Sequence, residues 1–107
     1  LKPRSITPGD VLEGYIVDKV KKRFASTGWI HRKMVYQNRR GAPDDWFFGH
    51  GARLVIIEFK KPKKSATIQQ KREHDRLIER GFKVYVVNSL EQGYALHARL
   101  EETWALS

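Results

Sequence analysis

The chain is expected to fold as an α/β domain with a central mixed β-sheet flanked by helices, in the order α-β-β-β-α-β-α. Three observations carry that expectation. Leu12, Ile16, Val20 and Phe24 recur every four residues, as one face of an amphipathic helix does. Leu54-Val55-Ile56-Ile57 is an apolar, mostly β-branched run that reads as a buried strand. Between it and a second such run, Phe82 to Val87, lies a helix-length segment, long enough for a right-handed crossover that makes these two strands parallel.

Taken in order, residues 1–7 show no periodicity and read as a loose, basic lead-in. Thr7 is a candidate N-cap, with Pro8 at the first helical position and Gly28 closing the region. Lys19, Lys21, Lys22 and Arg23 read as a solvated basic face of this helix. Trp29 to Tyr36 reads as the first strand and 37–41 as a polar turn, with His31 a partly exposed strand residue. Trp46-Phe47-Phe48 continues a second strand, and Gly49-His50-Gly51 supplies the positive φ of a tight hairpin. Ser65 or Thr67 can cap the next helix, which runs to about Arg80 and stops at Gly81. Its inward stripe is Gln70, His74, Leu77 and Ile78, with Gln69 turned out. A last helix from Leu90 to Trp104 is expected to bury Leu90, Tyr94, Ala98, Leu100 and Trp104.

With 107 residues there is room for one domain, spanning 1–107, and a modest core. Lys and Arg number 21 against 12 Asp and Glu, a net charge of +9 that points to a polyanionic partner. The absence of Cys excludes a disulfide framework and a thiolate zinc site, and no His pair has ligand spacing. There is no apolar run of about 20 residues and no signal-peptide pattern, so the default is an intracellular, cytoplasmic chain with no membrane partner. The start at Leu1 leaves open whether the chain is cut from something longer.

The chemistry concentrates between Gly41 and Gln70. Glu58 and Lys60 are two apart on a strand and project from one face, about 7 Å apart by strand rise. If Asp44 ends a neighbouring strand, two carboxylates and an ammonium converge at the strand ends, a hard-metal site suited to a phosphodiester. Asp45 should face the other way. Glu13 beside the first apolar stripe reads, on its own, as a solvated carboxylate. Lys61, Lys63 and Lys64 form a cationic loop at the mouth of this site and, with Arg39, Arg40 and Lys71, are the candidate nucleic-acid contacts.

The order Pro43-Asp44, then Glu58-Phe59-Lys60, resembles the signature of the PD-(D/E)XK nuclease superfamily. Gly41-Ala42-Pro43-Asp44 and Thr67-Ile68-Gln69-Gln70 make it most similar to the virus-type replication-repair nuclease (VRR-NUC) family. That resemblance implies a restriction-endonuclease-like core and a Mg²⁺- or Mn²⁺-dependent deoxyribonuclease with no organic cofactor. It implies Asp44, Glu58, Lys60 and Gln70 as catalytic residues. Asp44, Glu58 and the Phe59 carbonyl would be metal ligands, Glu13 reaching the metal through water, and Lys60 or the attacking water would be oriented by Gln70. A virus-type family also keeps a phage origin open.

Stand-alone members are expected to act as homodimers on four-way (Holliday) DNA junctions, and Trp29, Trp46, Phe47, Phe48 and Trp104 offer aromatic surface for such an interface. Alternatives are a non-catalytic nucleic-acid-binding module on the same fold, a nuclease acting on flaps, nicks or single strands, and a restriction-type endonuclease. The last is disfavoured by the lack of room for a base-reading element.

Overall fold

A computed structural model describes residues 8–39 and 41–105. The expected lead-in and the Thr7 cap lie outside these residues. The elements are α1 (Pro8–Ala25), β1 (Ile30–Lys33), β2 (Asp45–Gly49), β3 (Arg53–Phe59), α2 (Ile68–Glu79), β4 (Lys83–Val87) and α3 (Leu90–Ala105), in the order expected. The strands lie side by side as β1-β2-β3-β4, the first two pairings antiparallel and the last parallel, which makes α2 the crossover.

Alternation along β3 divides the sheet into two faces. Val55, Ile57 and Phe59 join Phe47, Val87 and the buried stripe of α1 (Ile16, Val20, Phe24) in one core with Leu96 and Leu100 of α3. Glu58 points the other way, toward His74 of α2. The layer under α1 and α3 is mostly apolar, with Asp45 and His97 its buried polar members, and the α2 side buries Ile56 and Val84 beside the polar pair of Glu58 and His74.

The β2–β3 hairpin turns through Gly51 and Ala52, both at positive φ (71° and 61°). Gly49, just before it, is needed for space: a Cβ there would stand 2.9 Å from Cζ3 of Trp29. The first strand is shorter than expected, because Trp29 turns into the core against Phe24 (ring centroids 5.4 Å apart) and Tyr36 leaves the sheet to donate to the Pro43 carbonyl at 3.0 Å. In α3 the buried stripe is Gly93, Leu96, His97 and Leu100, and Ala98 is exposed. A strict four-residue spacing rotates about 40° per step on a 100° helix, so a stripe begun at Leu90 drifts off the core by Ala98. The same drift leaves Ile78 of α2 49% exposed.

Candidate active site

The β2–β3 register sets the site. Asp45 and Ile57 are the last pair of the β2–β3 ladder, so Asp44 and Glu58 are the next residues outward, and the Asp44 charge is near enough to raise the Glu58 pKa. Asp45 faces the other way, as expected, and is 4% exposed. It accepts hydrogen bonds from His31 Nε2 (2.8 Å) and Lys33 Nζ (3.2 Å). Lys33 also lies 3.2 Å from Asp44 Oδ2, so one ammonium holds both aspartates. Burial works against that ammonium, but the two carboxylates outweigh it and hold its pKa above the usual value.

Glu58 is the most perturbed group. Burial pushes its carboxyl up to about 7, with Asp44 and Asp45 adding to the rise and Lys60 and Lys33 opposing it. Its Oε1 lies 3.5 Å from His74 Nε2, and neither atom has a hydrogen-bond partner among the described residues. Burial lowers the His74 pKa, disfavouring the imidazolium.

At the C-terminal end of β3 a cleft of about 400 Å³ opens between Glu13, Glu58, Phe59, Lys60, Lys61, Lys64, Ser65 and Thr67. It brings the α1 glutamate beside the strand that carries Glu58 and Lys60, and it puts two of the three rim lysines at its wall. Lys61 pairs with Asp10 at 3.0 Å, and Lys63 is exposed in the turn at a φ of 66°. Lys60 N–H donates to the Val87 carbonyl at 2.9 Å, which ties the loop's first residue to the sheet.

Gln70 is engaged at the helix terminus. Its Oε1 accepts the Thr67 N–H (2.9 Å) while its own N–H donates to Thr67 Oγ1 (3.2 Å), a reciprocal capping box at the start of α2. Among the described residues no hydrogen bond joins Gln70 to Lys60, because the orphan amides of the helix terminus claim its side-chain oxygen first.

A second recess, of about 440 Å³, lies between Asn38, Arg39, Gln69, Arg72, Glu73 and Arg76. Glu73 accepts from Arg39 and from Arg76, and the Arg39 hydrogen bond chiefly lowers its pKa. Arg39 is thus placed on a basic wall beside the Pro43-Asp44 loop, Lys71 is exposed on α2, and Arg40 lies outside the described residues. Sequence reasoning missed His74, Lys33, Arg72 and Arg76 as members of this region. His74 was legible as an inward residue one turn after Gln70, but nothing in the spacing announced its carboxylate neighbour.

The donor set suits a hard divalent cation. Among the described residues no three His, Asp or Glu side chains converge into a ready-made cage. Mg²⁺ does not ask for one, since it is usually held by one or two carboxylates and keeps several waters. Glu58 Oε1, buried and without a hydrogen-bond partner, is the kind of acceptor that a cation satisfies.

No family model matches the chain. Among curated proteins it is similar to "Putative nuclease p44" of Acyrthosiphon pisum secondary endosymbiont phage 1, at 34% identity over 89 residues, covering 83% of this chain and 91% of that protein. Among solved structures it is similar to a VRR_NUC domain, with a TM-score of 0.75 and 35% identity, over 78% of this chain and 91% of the other. Both matches span nearly all of the relative, and the chain carries the Pro43-Asp44 and Glu58-Phe59-Lys60 pattern: the chain belongs to the VRR-NUC family.

Proposed function

We propose that the chain is a divalent-metal-dependent DNA nuclease, a single catalytic domain that hydrolyses phosphodiester bonds. The observation that supports this reading is the electrostatic proximity of Asp44 and Lys60 to Glu58, just past the last Asp45 and Ile57 pair of the β2–β3 ladder. Asp44, Glu58 and the Phe59 carbonyl would hold the ion, with Glu13, which lines the same cleft, reaching it through water. When bound, Mg²⁺ or Mn²⁺ supplies Lewis acidity and lowers the pKa of a water.

The chain's own groups do the rest. Lys60 sets a positive charge where negative charge develops on the phosphate. Lys61, Lys63 and Lys64 on one side, and Arg39 with Lys71 on the other, hold the flanking backbone and give affinity without sequence choice. Gln70 keeps the N-terminus of α2 in place beside Lys60 and acts through that position. Among the described residues no hydrogen bond joins the Ser65 or Thr67 hydroxyl to a carboxylate or amine of the cleft, which supports direct hydrolysis by water.

We further propose a homodimer that resolves four-way junctions. Ile30 and Phe48 are cross-strand partners on the sheet face away from α1 and α3, and they are 53% and 38% exposed. Trp46 lies half-buried beside Phe48, ring centroids 6.2 Å apart. Trp29 and Phe47 are in the core, and Trp104 is half-buried against Trp29, so the interface reduces to the Ile30, Trp46 and Phe48 strip. Two copies related by a two-fold axis would place two cleavage sites, as paired incisions require.

The test is cleavage of labelled single-stranded, duplex, flap and four-way-junction DNA with Mg²⁺, with Mn²⁺ and with EDTA, alongside light scattering at micromolar concentration. Paired, near-symmetric nicks in junctions by a dimer are expected. Full cleavage in EDTA overturns the metal reading. A strict monomer nicking one strand overturns the junction reading and leaves the nuclease standing.

A further inference from the structure

We propose that His74 Nε2 is a direct ligand of the divalent ion that Glu58 holds, which makes the centre a mixed oxygen and nitrogen site. The inference rests on the metal-nuclease reading and adds a residue to it from the crossover helix. His74 is 7% exposed at its side chain and Glu58 12%, so both are nearly closed off from bulk water. Glu58 Oε1 and His74 Nε2 face one another at 3.5 Å, and neither has a hydrogen-bond partner among the described residues. Buried polar atoms left in that condition usually mark a missing third body. At 3.5 Å the pair is too long for a good N–H···O bond.

It is well spaced for a shared cation. Two coordination bonds of about 2.1 Å reach across as much as about 4.2 Å, so the two atoms would be close enough to share one ion. The imidazole is also carried rigidly. The Thr67 and Gln70 capping box fixes the first turn of α2, and His74 follows one turn later on the same face. Lys60, the nearest cation on the same strand face, makes no hydrogen bond to either atom among the described residues, so the gap between them is left to something else. One nitrogen from protein leaves the remaining positions to carboxylate oxygen, water and substrate, and it shifts preference from Mg²⁺ toward transition ions that accept imidazole.

The test is pulsed electron paramagnetic resonance of the full chain loaded with Mn²⁺ alone, in the absence of DNA. A directly bound imidazole nitrogen is expected to give ¹⁴N modulation that changes to the ¹⁵N pattern when histidine is ¹⁵N-labelled. The modulation should disappear in His74→Gln, and Mn²⁺ affinity measured by calorimetry should fall at least about tenfold, while Mg²⁺ affinity falls less. His74→Asn is the second variant should the glutamine prevent folding, and the labelled wild-type spectrum stands without either. Bound Mn²⁺ with no nitrogen modulation, or modulation that survives at His74→Gln and His74→Asn, overturns the ligand assignment and leaves the nuclease reading intact. A chain that binds no Mn²⁺ overturns both.

Discussion

Replacing Glu58 by glutamine should stabilise the metal-free protein, and by an amount that depends on pH. A glutamate has an ordinary pKa of 4.5, and burial raises that of Glu58 to about 7. The fold therefore binds its proton more tightly than the unfolded chain does. The sign follows: the native state is penalised as pH rises from 4.5 through 7, where the unfolded carboxyl ionises freely and the folded one resists. At about 1.4 kcal/mol per tenfold in proton affinity, the cost is below about 1 kcal/mol at pH 5 and reaches about 3 kcal/mol at pH 8. Glutamine keeps the shape and removes the charge. Urea unfolding of both proteins in EDTA should give nearly equal stabilities at pH 5 and a glutamine variant more stable by about 2–4 kcal/mol at pH 8. Adding Mn²⁺ should recover stability in the wild type by mass action and do little for the variant. A difference that is the same at both pH values refutes the reasoning, because it would come from packing and not from ionisation.

Asp44→Asn and Lys60→Ala should each lower cleavage by about two to three orders of magnitude while gel-shift affinity for DNA stays near wild type, since affinity comes from the basic rim. Arg39→Ala should do the reverse, weakening binding across sequences and reducing the salt slope by about 1 in a fluorescence titration. Gly93→Ala should destabilise by about 1–3 kcal/mol in thermal or urea unfolding despite the better helix propensity of alanine, because a Cβ there runs into Cγ2 of the fully buried Val20 where α1 and α3 meet.

Much of the fold was legible because its signals are local. The i, i+4 stripe of α1, the β-branched run of β3 and the Thr67 cap each name an element without reference to the rest. The proximity of Asp44 to Glu58 was legible as well, since a short hairpin between two strands leaves little freedom of register. Partners of polar side chains were not legible. Whether Gln70 serves the helix terminus or Lys60 depends on tenths of an ångström, and a sequence weighs both alike. The pairing of Lys33 with Asp44 and Asp45 required the β1–β2 register, and the meeting of His74 with Glu58 required the crossover helix to be laid on the sheet. In α3, periodicity counted in fours picked Ala98 over Gly93, because a glycine that admits a neighbouring helix carries no hydrophobic signal of its own.

Helix α2 is fastened differently from the rest of the molecule. Its two buried residues are Glu73 and His74, both polar, whereas Ile68 is 70% exposed and α1 buries Ile16, Val20 and Phe24. Beneath α2, Ile56 and Val84 are buried on the Glu58 face of the sheet, and Glu73 accepts a hydrogen bond from Arg39 in the loop before β2. The Arg39 and Glu73 pair is the part of that attachment that salt screens. The crossover helix carries His74 and the Glu73 anchor of Arg39 together. A cation seated between Glu58 and His74 would then act as a rivet, closing a structural seam as well as furnishing chemistry.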